Sequence, residues 1–242
     1  MKNSIIVEKL TKKFGNFIAV NKISFSVKKG EIFGFLGANG AGKTTAMKML
    51  IGISKPTSGN AIVAGYDVLK DAEKIKKNIG YMSQKFALYD DLTIIENITF
   101  FGGIYGLSRK QIKNKAKELL TYLDIEDLAK VLVGDLPLGL KQKLAFTIAL
   151  IHQPEIVFLD EPTGGVDPIT RRQFWEMIYE KADQGTTIFV TTHYMDEAEY
   201  CDRVSIMVAG KIEALDTPKK LKETYQADSM NEVFIKLARA ES

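Results

Sequence analysis

The chain has 242 residues, of which 45% are hydrophobic and 26% charged, proportions typical of one compact globular protein. Its 33 basic residues nearly balance 30 acidic ones, and a net charge of +3 predicts no nucleic-acid partner. Its one cysteine, Cys201, excludes an internal disulfide, and no run approaches the roughly 20 apolar residues that cross a bilayer. The N-terminus lacks the apolar run of a signal peptide, so we expect a cytoplasmic protein, and any membrane role would have to come through a partner.

Segments rich in β-branched and aromatic residues open the chain and predict strands at residues 4–10, 17–27 and 61–64. Turn residues, among them Gly15-Asn16 and Gly59-Asn60, bound these segments. Residues 31–36 predict a buried strand that runs into a glycine-rich loop, and residues 44–51 predict the helix that follows the loop. Another short strand is predicted at residues 80–83.

From about residue 90 to residue 151 the pattern is helical. Ser108 is a predicted N-cap, and a helical face follows it at Ile112, Ala116, Leu119, Leu120 and Leu123. Apolar strands return at residues 156–159 and 187–191, with a predicted crossover helix at 169–182 between them. This order is typical of a parallel α/β sheet, and residues 204–208 and 211–214 predict a closing hairpin.

The strongest motif is the run from Gly37 to Thr44, GANGAGKT, which fits the GxxxxGK[ST] pattern of a phosphate-binding loop. Backbone N–H groups of such a loop close around phosphate oxygens, Lys43 reaches the β- and γ-phosphates, and Thr44 presents its hydroxyl to Mg²⁺. The loop follows a predicted strand and opens a predicted helix, which is the context that this motif requires. The predicted nucleotide contacts are Gly37, Ala38, Asn39, Gly40, Ala41, Gly42, Lys43, Thr44 and Thr45.

A second motif is the pair of acids, Asp160 and Glu161, at the end of the predicted strand 156–159. The first acid suits Mg²⁺, which prefers oxygen ligands, and the second suits the task of orienting or deprotonating an attacking water. Two acids at an exposed strand end would have no such role. Because this pair follows a buried strand in a chain with a phosphate-binding loop, we interpret it as functional.

With these two sites placed, essentially the whole chain resembles the nucleotide-binding subunit of ATP-binding cassette (ABC) transporters, whose further motifs occur here in the family's order. The resemblance implies ATP, Mg²⁺ and an α/β fold: a P-loop NTPase core of mostly parallel sheet flanked by helices, an antiparallel β subdomain and a helical insertion. It implies an ATPase domain at residues 1–217, with the insertion at about 86–151, and a short helical tail at 218–242.

The resemblance assigns roles to four further positions. Phe14 matches the aromatic residue that stacks on adenine, and Gln84 matches the Q-loop glutamine that links Mg²⁺ and water to the membrane-facing side. The sequence Gly165-Val166-Asp167 matches the D-loop at the dimer interface, and His193 matches the γ-phosphate sensor. Strand packing of Phe14 and a satisfied polar contact of His193 are the structural alternatives, and His152 is interpreted as structural.

The signature segment departs from the family. The usual LSGGQ motif is here the run from Leu136 to Gln142, LPLGLKQ. Pro137 replaces the serine that would bond the γ-phosphate held by the opposite subunit, and proline has neither a hydroxyl nor a backbone N–H. Gly139 and Gln142 remain and are predicted to contact nucleotide. The leucine-rich variant resembles a branch of the family associated with ABC-2-type export permeases.

These motifs together predict an ATP-hydrolysing transporter subunit, an exporter in preference to an importer, peripheral on the cytoplasmic face of the membrane. Its partners would be an integral membrane permease and a second ABC ATPase domain, in a homodimer or a heterodimer. The predicted catalytic residues are Glu161, His193, Gln84 and Lys43, and the predicted metal ligands are Thr44, Gln84 and Asp160.

Other functions stay open as alternatives. A catalytically weak regulatory subunit would pair with a complete ATPase, and Pro137 favours it. A soluble ABC ATPase acting on ribosomes or DNA usually carries two cassettes or a long coiled coil, and this chain has one cassette and no heptad run. A P-loop kinase or GTPase would not explain Gln84, the LPLGLKQ segment and His193 together.

Three surface segments have two interpretations each. Residues 85–93, with Phe86, Leu88 and Tyr89, line a groove for a permease helix in the resembled family, but burial within the helical insertion is the alternative. The basic helix at 109–117 is expected to be a solvated face, with anionic lipid as the less favoured interpretation. The tail has an amphipathic stretch that docks on the core or on a partner, with its apolar residues at Met230, Val233, Phe234 and Leu237.

Overall fold

The computed structural model describes residues 2–84 and 88–240, which form two packed β-sheets with helices around them. The strands in chain order are β1 (Asn3–Phe14), β2 (Phe17–Lys28), β3 (Ile32–Gly37), β4 (Ser58–Val63), β5 (Tyr66–Asp67), β6 (Ile79–Met82), β7 (Ile156–Asp160), β8 (Thr187–Thr192), β9 (Arg203–Val208) and β10 (Lys211–Asp216). One sheet is antiparallel in the order β2-β1-β4-β5, and the other has the order β10-β9-β3-β8-β7-β6.

The helices flank the larger sheet and fill the region between β6 and β7. They are α1 (Lys43–Leu50), α2 (Ala72–Asn78), α3 (Ile94–Ile104), α4 (Arg109–Leu123), α5 (Leu138–Ala149), α6 (Pro168–Asp183), α7 (Pro218–Tyr225) and α8 (Met230–Ala240). Short 3₁₀ turns occupy Glu126–Leu128, Val133–Asp135 and Met195–Tyr200. Within the part of the chain described here, no helix combines the length and the apolar character that crossing a bilayer requires.

The predicted parallel α/β sheet is confirmed. Strand β3 pairs in parallel with β8 and β9, β7 pairs in parallel with β8 and β6, and β10 is an antiparallel edge strand on β9. Every residue of β3, β7 and β8 is buried, as expected for strands covered on both faces. The carboxyl ends of these three strands meet at one edge of the sheet, and the predicted site residues follow those ends.

Aromatic packing joins the two sheets. The ring of Phe25 in β2 stacks on Phe33 with centroids 5.4 Å apart, and lies 5.6 Å from Phe35 and 6.2 Å from Phe189. The opposite face of the larger sheet is covered by helices, where Phe146 of α5 and Phe174 of α6 are 5.2 Å apart. Burial of such large side chains on both faces makes the sheet a rigid support for the loops at its edge.

The predicted helical region contains α3, α4 and α5. The side chain of Ser108 accepts a hydrogen bond from the Gln111 N–H in a capping box, which confirms the predicted start of α4. Four of the five predicted face residues are buried, and Leu123 is half-buried. On the other side of α4, Lys115 pairs with Glu118 at 2.8 Å, and the basic residues that are exposed are Arg109, Lys110, Lys113 and Lys117.

The C-terminal helices pack on the turn that follows β8. Helix α8 buries Met230, Val233 and Leu237 in the core on the helical side of the sheet, next to Met195–Tyr200. From α7, the Lys222 ammonium lies 2.7 Å from a Glu199 carboxylate oxygen in that turn. Of the two interpretations of the amphipathic stretch, the structure agrees with docking on the core.

Candidate active site

The predicted phosphate-binding loop connects β3 to α1. At Gly42, φ is +105° and a Cβ atom would collide with the carbonyl oxygen of Ala19, so only glycine fits there. Helix α1 begins at Lys43 without a side-chain cap among the described residues, which leaves its first N–H groups and the positive end of its dipole at the loop. This arrangement favours an anion.

Lys43 lies across the loop. Its side chain is 5% exposed, and its ammonium donates to the carbonyl oxygens of Gly37 at 2.7 Å and Ala38 at 3.2 Å. The ammonium is also 3.5 Å from Oε1 of Glu161. Burial lowers the pKa of Lys43, and the Glu161 carboxylate opposes that shift by favouring the charged amine. A fixed positive charge thus faces the position where phosphates would bind.

Asp160 ends β7 beside the loop and is 2% exposed. Its Oδ1 accepts a hydrogen bond from the Thr191 hydroxyl at 2.6 Å and lies 3.4 Å from the Thr44 hydroxyl. Burial raises the pKa of Asp160, and the hydrogen bond from Thr191 opposes the shift. A buried carboxylate of this kind favours a bound cation, and the oxygens of Asp160 and Thr44 are of the type that Mg²⁺ prefers.

Three side chains converge on the carboxylate of Glu161. Its Oε2 accepts a hydrogen bond from Nε2 of Gln84 at 2.9 Å and lies 3.0 Å from Nδ1 of His193, while Lys43 approaches Oε1. The backbone of Glu161 has φ of +50°, a conformation that non-glycine residues rarely adopt. Its N–H donates to the carbonyl oxygen of Thr191 at 3.0 Å, which anchors this conformation to β8.

A cavity of about 380 Å³ over the loop brings most of the predicted residues together. Two exposed aromatic side chains form its outer wall, Phe14 at 55% and Phe17 at 65% exposure, paired across the β1–β2 turn. The rest of the lining is Ala19, Asn39, Gly40, Gly42, Lys43, Thr44, Thr45, Gln84 and Glu161. A larger cavity of about 590 Å³ lies at the opposite ends of β7 and β8, and no predicted site residue lines it.

Two residues of the site were missed from the sequence. Phe17 faces the same cavity as Phe14, and its signal was the two-residue turn that pairs these positions across the hairpin. Thr191 orients Asp160, and its signal was a hydroxyl at the end of the predicted strand 187–191, which leads to His193.

The signature segment lies apart from the loop cavity. Helix α5 begins after Pro137, and a Cβ atom on Gly139 would lie 2.5 Å from Cγ2 of Thr170 in α6. Gln142 is 2% exposed, and its amide donates to the carbonyl oxygen of Gly164 at 3.1 Å. Within this protomer the described contacts of Gly139 and Gln142 are to α6 and to the segment after β7, so their predicted nucleotide contacts stay predictions.

His152 agrees with its structural interpretation. Its ring stacks on Tyr105 with centroids 3.7 Å apart, and its Nε2 donates to the carbonyl oxygen of Ile79 at 3.1 Å. Burial lowers the pKa of His152 to about 4. The neutral ring therefore anchors the first residue of β6, the strand that leads to Gln84.

The family model described as "ABC transporter" matches residues 20–164 of this chain. Over 238 residues, the chain is 47% identical to the probable multidrug ABC transporter ATP-binding protein YbhF of Escherichia coli, covering 96% of this chain and 41% of that protein. The chain thus spans less than half the length of YbhF. It is 38% identical to the Nod factor export ATP-binding protein I of Burkholderia lata, covering 92% and 74% of the two chains.

Solved structures share the fold. The ATP-binding subunit of an ABC transporter superposes with a TM-score of 0.86 at 27% identity, covering 96% of this chain and 98% of that one. A dimeric, post-hydrolysis state of the ATP-binding cassette MJ0796 with ADP and Pi superposes with a TM-score of 0.79 at 25% identity, covering 88% and 98%. With the phosphate-binding loop and the acids at the end of β7 in place, the chain belongs to the ABC transporter family, as one of its ATP-binding cassettes.

Proposed function

We propose that this cassette hydrolyses ATP between its own phosphate-binding loop and the signature segment of a second cassette, and that closure of the pair drives export through a membrane permease. The observation that carries the proposal is the convergence of Lys43, Gln84 and His193 on the carboxylate of Glu161, directly beside the loop. A carboxylate fixed from three sides is suited to hold an attacking water in one orientation.

Phosphoryl transfer asks mainly for positioning and electrostatic stabilisation, and the residues around the loop offer both. Phe14 and Phe17 would stack on the adenine, because both rings are exposed at the mouth of the cavity. Lys43 would stabilise negative charge on the β- and γ-phosphates. Glu161 would orient or deprotonate the water, and His193 would contact the γ-phosphate while holding Glu161.

The metal ligands are proposed to be Thr44, Gln84 and Asp160. Thr44 and Asp160 already face each other across 3.4 Å, and a bound cation would offset the cost of burying the Asp160 carboxylate. Mg²⁺ would supply charge neutralisation on the phosphates. Gln84 donates to Glu161 in this structure, so its amide would have to exchange that hydrogen bond for a metal contact through its oxygen.

The permease contact is proposed at an exposed apolar surface formed by α3 and the segment before it, which we define as Tyr89, Phe100 and Ile104. These side chains are 46%, 42% and 59% exposed, and the rings of Tyr89 and Phe100 are 4.9 Å apart. Leu88 is buried, and Phe86 lies outside the described residues. Attachment there would place the chain on the cytoplasmic face of the membrane, and the name of the Nod factor export protein favours export.

A regulatory subunit is a second candidate, and Pro137 is the observation that favours it. The proline stands before α5 where it provides neither a hydroxyl nor an N–H to the phosphate of a partner's nucleotide. Such a subunit would bind ATP and pair with a complete cassette while hydrolysing slowly.

Phosphate release by the wild type and by Glu161→Gln, with Mg²⁺ and ATP, tests the proposal. We expect Glu161→Gln to reduce kcat by about 10²-fold or more while ATP still binds. Glu176→Gln is the matched control, because this carboxylate is 62% exposed on α6 and should leave kcat unchanged. Near-normal hydrolysis by Glu161→Gln would refute the catalytic assignment, and a wild type as slow as Glu161→Gln would favour the regulatory subunit.

A further inference from the structure

A carboxylate outside the catalytic cluster is fully buried between two segments that flank the cluster. Glu197 is 0% exposed and belongs to the turn Met195–Tyr200, which follows β8 and His193. Its Oε1 accepts a hydrogen bond from the hydroxyl of Thr163, which is 1% exposed and lies two residues after Glu161. Burying a carboxylate costs free energy unless hydrogen bonds and opposite charge offset it, so this position calls for a role beyond packing.

The opposite charge is Arg171 of α6, and its contact with Glu197 is incomplete. Nε of Arg171 lies 3.6 Å from Oε1 of Glu197, beyond hydrogen-bonding distance. Within the part of the chain that the structure describes, both this Nε and Oε2 of Glu197 are buried without a hydrogen-bond partner. A shift of less than about 1 Å would convert the contact into a charge-assisted hydrogen bond, so the pair has a tighter arrangement within reach.

Ring contacts connect Arg171 to the catalytic cluster. Its guanidinium lies 4.4 Å from the centre of the Tyr194 ring, and that ring is 4.2 Å from the ring of His193. His193 in turn contacts Glu161 at 3.0 Å. A series of neighbouring side chains therefore links the Thr163 hydroxyl to the imidazole, through the buried carboxylate, the guanidinium and the Tyr194 ring.

We propose that Glu197 is a positioning residue for ATP hydrolysis. It holds the segment 162–167 through Thr163 and the imidazole of His193 through Arg171 and Tyr194, without touching the substrate itself. This inference rests on the proposed function, in which two cassettes pair, and on the family resemblance, which implies that residues 165–167 of this segment lie at the dimer interface. A displacement of that segment on closure would then be transmitted to His193, and hydrolysis would begin only after the two cassettes have met.

Isosteric and conservative substitutions test this role. Thr163→Val removes the hydroxyl at nearly constant volume, Thr163→Ser keeps it, and Glu197→Gln removes the charge. Steady-state kcat and KM for ATP are measured for these variants and for Thr163→Val combined with Glu197→Gln. Tyr179→Phe is the matched control, because it removes a different hydrogen bond from α6 to the same turn, the one to the carbonyl oxygen of Tyr200 at 3.2 Å.

We expect Thr163→Val and Glu197→Gln each to lower kcat by about tenfold or more with KM nearly unchanged, because the loss is one of orientation. Because the two substitutions break the same contact, their fold-losses of kcat should not multiply. The kcat of the double variant should therefore equal that of the more severe single variant. Thr163→Ser and Tyr179→Phe should keep kcat within about twofold of the wild type. If Glu197→Gln does not fold, the contrast between Thr163→Val and Thr163→Ser decides the question.

The sole tryptophan reports whether a loss of kcat has a structural origin. Trp175 is 2% exposed on α6, and its ring centroid is 5.1 Å from that of Tyr200 in the turn. Unchanged Trp175 emission beside a lowered kcat supports positioning. Three results would each overturn the inference. They are a wild-type kcat in Thr163→Val, fold-losses of kcat that multiply in the double variant, and a red-shifted Trp175 emission that parallels the loss of kcat.

The experiments distinguish a failure of the positioning role from a failure of the proposed function. If the wild type hydrolyses ATP and Glu161→Gln does not, a normal kcat in Thr163→Val overturns the positioning role alone. If the wild type does not hydrolyse ATP, both the proposed function and the positioning role are overturned.

Discussion

Acidification should destabilise this protein through His152. The carbonyl of Ile79 only accepts hydrogen bonds, so Nε2 of His152 carries the proton and Nδ1 is the atom that would take up a second one. That Nδ1 is buried without a hydrogen-bond partner in the described part of the chain, and burial lowers the pKa of His152 from 6.5 to about 4. The unfolded chain therefore binds this proton near pH 6.5, and the folded protein only near pH 4.

The sign and size of the effect follow from these two pKa values. Between them the unfolded state binds more protons, so the stability that the neutral ring provides is complete above pH 6.5 and is lost as the pH falls toward 4. At pH 5 the loss amounts to about 2 kcal/mol relative to pH 7.5.

Urea unfolding of the wild type and of His152→Phe at pH 7.5 and pH 5 measures this loss. Phenylalanine keeps an aromatic ring on Tyr105 and has no titrating group. Every other titrating group is common to both proteins, so the difference between their pH effects belongs to His152. We expect the wild type to lose about 2 kcal/mol more than His152→Phe between the two pH values. Equal losses in the two proteins would refute the reasoning.

Three further predictions concern the loop and the acid beside it. Gly42→Ala should abolish ATP binding measured by calorimetry, because its Cβ would collide with the carbonyl of Ala19, and binding near the wild-type affinity would contradict this account. Thr191→Val should lower the free energy of unfolding by about 1–3 kcal/mol, since it leaves a buried carboxylate with one donor fewer, and an unchanged urea midpoint would contradict that. Asp160→Asn in EDTA should raise Tm at pH 7.5, because burial raises the pKa of Asp160 and makes its ionised form costly in the folded protein. The gain in Tm should shrink as the pH is lowered, since Asp160 is then protonated. A lowered Tm of Asp160→Asn at pH 7.5 would contradict this account.

The edge of the sheet that carries the site was predictable because its residues are encoded locally. The loop 37–44, Asp160-Glu161 and His193 each follow directly from an apolar strand, and parallel strands bring their carboxyl ends to one edge. Helix α2 and strand β5 were not predicted. Helix α2 has seven residues and buries only Ile75, so it shows no apolar periodicity, and β5 has two residues.

Contacts between distant polar side chains could not be predicted. Thr163 and Glu197 are 34 positions apart, and both residue types are usually exposed, so no pattern marks them as a buried pair. The hydrogen bond from the Gln142 amide to the carbonyl oxygen of Gly164 could not be predicted either, because a helical pattern does not indicate which group a side chain contacts. Local motifs thus specify which side chains form the site, whereas the contacts that position these side chains come from tertiary packing.

The solution mass of Glu161→Gln, measured by light scattering with and without ATP and Mg²⁺, tests the central claim most directly. Blocked hydrolysis should trap two cassettes around ATP, so the account predicts an ATP-dependent shift from monomer to dimer despite Pro137. Protein that binds ATP and remains a monomer at high concentration would contradict a self-pairing cassette. A second, different ATPase subunit or the membrane permease would then be needed to complete the site.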